Sequence, residues 1–183
     1  MAGPPSNQRL PRWVDARKFA QQRVQLEGHI SPEHLPRLVQ AVSRIDTPVH
    51  ARLEFGRDES GYRTVMGPLQ ARLTMTCQRC MGETEVEIHS QLAVAVVASD
   101  AESKALPRSL EPWVIDREEA EADLYAVVED ELLLDLPMVA YHDYQCIDEE
   151  MYSSGDATSA AAQEEGRRNP FQVLEQLKKD KKG

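Results

Sequence analysis

The stretch Leu69-Gln70-Ala71-Arg72-Leu73-Thr74-Met75-Thr76-Cys77-Gln78-Arg79-Cys80-Met81-Gly82 alternates apolar and polar residues as far as a cysteine, and then turns. Leu69, Ala71, Leu73, Met75 and Cys77 share one side of a period-two repeat. That spacing predicts a half-buried strand, with Cys77 arriving on the buried face. Beyond Cys80-Met81-Gly82 the alternation resumes in Val86, Ile88, Leu92, Val94 and Val96, with Ser90 as its one polar interruption. Glu85, Glu87, His89 and Gln91 fall on the opposite side. Two such runs joined by a short turn read as an antiparallel hairpin with one solvated face.

The pattern extends in both directions. Ala51, Leu53 and Phe55 share a face, and Glu59-Ser60-Gly61 is a turn signal, so the hairpin gains a further strand. Residues 23–30 alternate and read as another. Ser31-Pro32 is a helix start, with Ser31 able to cap and Pro32 suited to the first position. Leu35, Leu38, Val39 and Val42 follow at helical spacing, giving a helix that ends near Ser43. A shorter helical stretch is expected over 15–22. Residues 98–122 read as a loop with an extended piece at Trp113–Ile115. Asp123 caps a helix whose stripe is Leu124, Val127, Val128 and Leu132, and Leu136-Pro137 stops it.

These elements give an α+β class: an antiparallel meander, either open or curled towards a barrel, flanked by two main helices. The expected organisation is a basic arm over 1–22, a single domain over 23–146, a disordered acidic linker over 147–168 and an amphipathic, basic segment over 169–183. In that last segment Phe171, Leu174 and Leu177 form a narrow apolar edge suited to docking on a partner. No apolar run approaches the ~20 residues of a membrane span, and the first residues lack a secretory pattern. Three cysteines, two of them only three positions apart, fit a reducing cytoplasm better than a disulfide framework.

The net charge of −10 is uneven. Residues 98–165 carry 19 acids and 3 bases, whereas 1–26 carry 5 bases and 1 acid, and 167–183 carry 6 bases and 2 acids. A surface basic throughout, as a general RNA coat requires, is excluded. RNA contact is expected at the ends or on a local face. The acidic half suits a basic protein partner, or simply a soluble surface.

Cys77, Cys80, His142 and Cys146 offer zinc-type ligands, the first two with a spacing that lets one turn present both thiolates to one ion. If the four converge they form a closed, structural zinc site. The alternative is a buried apolar Cys77 and an ordinary turn thiol at Cys80. A redox role fits less well, because such motifs usually open a helix and this pair lies between strands. Glu129-Asp130-Glu131 is a run of carboxylates, but adjacent helical residues diverge by ~100° and cannot all face one substrate. His29, His34, His50 and His89 are scattered, and no Gly-rich phosphate loop appears. Arg52, Arg57, Arg63, Arg72 and Arg79 lie in or beside the strands. Arg52 and Arg72 fall off the apolar faces and Arg79 sits between the cysteines, so the three form a candidate RNA-backbone patch if their strands neighbour each other.

In four pieces the chain resembles the bacterial large ribosomal RNA subunit accumulation protein family (YceD-like). They are Leu73-Thr74-Met75-Thr76-Cys77-Gln78-Arg79-Cys80; Asp123-Leu124 with Val128 to Glu131; Leu136-Pro137 with His142; and Asn169-Pro170-Phe171 with Leu174 and Leu177. The resemblance implies a cytoplasmic, non-enzymatic factor for synthesis, processing or stability of 23S rRNA. Partners would be that RNA, large-subunit ribosomal proteins or assembly factors, with no membrane and no small-molecule substrate. Two other readings stay open: an acidic adaptor for a basic ribosomal protein or assembly factor without RNA contact, and an RNA-processing enzyme with an unrecognised site.

Overall fold

The alternating stretch becomes two long paired strands, and the other elements assemble around them. A computed structural model describes residues 8–148. In chain order the elements are β1 (Trp13–Val14), α1 (Ala16–Gln22), β2 (Gln25–Ile30), a 3-10 turn (Pro32–His34), α2 (Pro36–Ala41), β3 (Arg44–Ile45), β4 (Val49–Arg57), β5 (Arg63–Thr76), β6 (Glu83–Val97), α3 (Asp100–Ser103), β7 (Glu111–Val114), β8 (Ala122–Asp123) and α4 (Leu124–Leu134). The first compact unit ends at Tyr144 and the second begins at Gln145. Of the expected linker over 147–168, all but the first two residues lie outside the described residues, as does the segment carrying Phe171, Leu174 and Leu177.

The main sheet runs β2-β4-β5-β6-β7, with β3 also on β5. Its centre is the expected hairpin, with Thr76 opposite Glu83 and Leu69 opposite Ser90 in unbroken register. One feature departs from expectation: the sheet is mixed rather than wholly antiparallel, because β7 joins β6 in parallel. Of the two forms expected, the sheet takes the open one and does not close as a barrel. The extended piece near Trp113 supplies β7. The chain passes through α3 before reaching it, and this longer connection is what a parallel neighbour needs.

One face of the sheet is the core wall. Val49, Ala51, Leu53 and Phe55 of β4, Val65, Leu69 and Leu73 of β5, and Ile88, Leu92 and Val94 of β6 are buried. The opposite face carries Glu27, Arg52, Glu54, Gln70, Arg72, Glu85 and Glu87, all exposed. Four α-helices form among the described residues, where two main ones and a shorter stretch over 15–22 were expected. α1 packs on β4 and β5, and Phe19 meets Phe55 edge-on with ring centroids 5.3 Å apart. Residues 8–22, expected as an arm, add Leu10, Val14, Ala16 and Ala20 to the core. Their backbone is held too: the Leu10 amide donates to His29 O and the His29 amide to Gln8 O. β1 pairs with β8.

The helix expected from Ser31 to Ser43 is broken. Leu35 precedes a proline, which disfavours helical backbone, and it adopts φ −120° and ψ 64°. A 3-10 turn therefore comes first, and α2 starts afresh at Pro36. α4 begins where expected, with the Asp123 carboxylate accepting from the Tyr125 and Ala126 amides. α2 and α4 pack together, and α4 also packs on β6.

Candidate metal centre

The turn between β5 and β6 is built by its own backbone. The Cys77 amide donates to Gly82 O at 2.8 Å, and the Met81 amide returns to Cys77 O at 2.9 Å. Met81 takes a left-handed φ of 61°, which swings the chain back sharply. This leaves the Gly82 amide pointing at the Cys80 sulfur, 3.4 Å away. An amide aimed at a sulfur is the kind of partner that stabilises a metal-bound thiolate.

Residues 140–144 lie against the turn. The Gln78 amide donates to Ala140 O at 2.9 Å. Arg79 fixes the segment from the other side, donating to the carbonyls of His142 and Tyr144, with its guanidinium 5.3 Å from the Tyr141 ring centroid. His142 is thereby set against Cys80, with Nδ1 3.5 Å from Sγ. Its other nitrogen, Nε2, lies 2.9 Å from Glu83 O. A carbonyl can only accept, so Nε2 carries the proton and Nδ1 presents its lone pair. A backbone partner of this kind is what orients a metal-ligating histidine.

The ligand atoms of Cys77, Cys80, His142 and Cys146 all lie within 4.8 Å of one another. Cys77 is buried, and the other three are half-buried. The donor set suits zinc. With bonds of about 2.3 Å to sulfur and 2.0–2.1 Å to nitrogen, a tetrahedral ion sets its S···N edge near about 3.6 Å. The Cys80–His142 separation already matches that edge, and a pair at the 4.8 Å limit would close by about 1 Å around an ion. The residues present therefore fit a Cys3His metal centre.

Other candidates are dispersed. Glu129 is buried, and accepts from the Arg37 and Leu38 amides and from Arg37 Nε. Asp130 pairs with Arg37, and Glu131 accepts from the Ser90 hydroxyl. The carboxylate run thus diverges to separate partners. Strands β4 and β5 are neighbours, so Arg52 and Arg72 do share the solvated face. Arg52 lies 3.3 Å from Glu27 and Arg72 2.6 Å from Glu87, which neutralises both locally. Arg79 is turned to the carbonyls of the segment beside it. Of the four histidines expected to be scattered, His29 and His50 face each other across β2 and β4 with ring centroids 6.3 Å apart, while His34 stacks on Tyr125 and His89 lies beside Glu87.

The family model for the large ribosomal RNA subunit accumulation protein YceD matches residues 65–178. The matched range contains β5, the cysteine turn, β6, α4, His142 and Cys146. The chain is also 30% identical over 171 residues to a Haemophilus influenzae protein named Large ribosomal RNA subunit accumulation protein YceD, covering 93% of this chain and 97% of that one. This chain belongs to the YceD family. No solved structure matches it.

Two features of the centre escape a sequence reading. The role of Arg79 depends on carbonyls more than sixty positions away. The partner of His142 Nε2 is a backbone atom, and backbone atoms leave no signature. The spacing of Cys77 and Cys80 was readable. His142 was readable as a candidate ligand, but the path that brings it there was not, because it depends on how the chain leaves α4. Among the described residues no helix is long and apolar enough to cross a membrane.

Proposed function

We propose that this protein supports the accumulation of 23S rRNA during assembly of the large ribosomal subunit, acting in the cytoplasm as a binding factor rather than an enzyme. The observation that carries the reading is membership of the YceD family, over a match that takes in the whole Cys3His cluster. The dispersal of Glu129, Asp130 and Glu131 to separate partners supports the non-enzymatic part. The test is depletion of the protein in cells. Mature 23S rRNA should fall while 16S rRNA is kept, and equal levels of both across growth temperatures would reject the reading.

The cluster holds a structural zinc ion in this reading, with Cys77, Cys80, His142 and Cys146 as ligands. A closed shell of four protein ligands supplies cohesion and leaves no water to activate. The β5–β6 turn and the 140–146 segment are then fastened at one point. Purified protein should contain about one zinc per chain. Protein prepared without chelator and free of metal by elemental analysis would end this part of the proposal.

One observation favours a second reading. The exposed sheet face carries Glu27, Glu54, Glu85 and Glu87 against Arg52 and Arg72, and both arginines are already paired. Such a face suits a basic ribosomal protein or assembly factor. Crosslinking in cells separates the two, since an adaptor yields protein crosslinks on this face and no RNA crosslinks anywhere.

A further inference from the structure

Arg17, Arg63 and Arg117 line one cavity of about 330 Å³, together with Val96, Val97, Ala98 and a single carboxylate, Glu102. That carboxylate is already committed. One of its oxygens takes the Arg117 guanidinium at 3.0 Å and the other the Ala98 amide at 2.8 Å. Arg17 is anchored through carbonyls instead, donating to Ile115, Asp116 and Glu119 at 2.6, 2.9 and 3.0 Å. Those contacts fix its position through neutral carbonyls and not through a carboxylate. Arg63 goes further, because its Nε is buried with no hydrogen-bond acceptor.

A second observation points to the same place. The β4–β5 register sets Arg57 directly opposite Arg63. Like charges facing across a ladder are destabilising, and Arg57 donates only to Gly61 O at 3.2 Å. Arg12, Arg37, Arg44, Arg52 and Arg72 each face a carboxylate. Among the described residues Arg17 and Arg63 form no ion pair. In a chain with net charge −10, three arginines around a cavity lined by a single carboxylate are a local reversal of the field.

We infer that this cavity binds a phosphate group and, resting on the rRNA reading above, one carried by RNA. The guanidinium fork matches phosphate oxygens, and Arg63 alone brings five N–H donors, more than one carboxylate can satisfy. Arg17 is held in place before any ligand arrives, so little side-chain freedom is lost on binding. Arg52 and Arg72, each already paired with a glutamate, offer no comparable unspent donor.

The test uses the full-length protein labelled with nitrogen-15, whose Arg63 Nε–Hε signal is assigned by its loss in R63Q. Inorganic phosphate should move this signal saturably, leaving those of Arg52 and Arg72 in place. A short 5′-phosphorylated RNA should do so at lower concentration. R63Q should weaken that RNA about tenfold, and lower the slope of log affinity against log salt by about one. R63K keeps the charge but not the fork and should fall between. If neither phosphate nor RNA moves the Arg63 signal, the inference is wrong, whatever happens to 23S rRNA in cells. A polyglutamate peptide that moves it more strongly than the RNA also overturns the inference, and points to an acidic protein. Saturable binding at Arg63 with unchanged 23S rRNA on depletion would keep the site and discard the rRNA reading.

Discussion

The Glu129 carboxylate, on α4, caps α2 through the backbone amide of Arg37, at 2.7 Å. The same oxygen takes the Leu38 amide at 3.0 Å, and the other takes Arg37 Nε at 3.0 Å. Leu35, at the N-cap of α2, offers no side-chain acceptor, and Pro36 has no N–H to satisfy. Glu129 therefore supplies from another helix what the local sequence lacks. It also explains why a six-residue helix, too short to stand alone, is formed here.

Glu129→Ala leaves one buried and one part-buried amide without an acceptor, and should destabilise the fold by about 3 kcal/mol. Glu129→Gln keeps an acceptor oxygen and should cost about half as much. Urea denaturation of both variants checks this, and equal effects would refute the capping role.

The metal centre predicts a different signature. Cys80→Ser should release the ion and lower the melting temperature, whereas the same substitution in chelator-treated protein should change little. Calorimetry with and without zinc measures the interaction between mutation and metal. Additive effects would show that Cys80 is not a ligand.

Two glycines of the sheet make a controlled pair. A Cβ on Gly67 would lie 1.9 Å from Arg52 O, a backbone atom that cannot withdraw, while one on Gly56 meets nothing within 4 Å. Gly67→Ala should cost at least about 2 kcal/mol, and Gly56→Ala should be close to neutral. Thermal melts of the two variants decide the point.

Asp46 makes stability depend on pH. The Arg44 side chain, and next the Thr74 hydroxyl, hold its carboxyl below the ordinary carboxylate range. A folded pKa lower than the unfolded one means stability present above about pH 4, and lost as pH falls through the folded value. Asp46→Asn should therefore be less stable than wild type at neutral pH and converge with it in acid. A constant difference down to the lowest pH at which the protein folds would contradict this.

Where a signal was local, the sequence carried it. Period-two alternation from Leu69 to Val96 located β5 and β6, and Asp123 marked the start of α4. The pair Cys77 and Cys80 identified the turn for the same reason, since both ligands sit within one turn of chain. The rest depends on partners far along the chain. Nothing near Trp113 says that β7 runs parallel to β6. Glu129 looks like a surface acid until α2 is placed beside it. Arg52 and Arg72 look like a basic patch until Glu27 and Glu87 arrive on adjacent strands. The break at Leu35-Pro36 was legible in principle, because the residue before a proline resists helix, but helical spacing from Leu35 to Val42 masked it.

The pairing of β1 with β8 ties Trp13 to Asp123, and the Leu124 amide closes onto Arg12 O at 2.8 Å. The Tyr125 hydroxyl adds a bond to Leu10 O. More than a hundred residues separate these partners. During synthesis β1 has no mate until β8, at the start of α4, has left the ribosome. The β4–β5–β6 meander, whose contacts are closer in sequence, can form first. Locking of the N-terminal strap then reports that the domain has been translated through α4, so premature termination before Asp123 leaves an unlatched chain with Val14 and Leu10 uncovered, a substrate for proteolytic quality control.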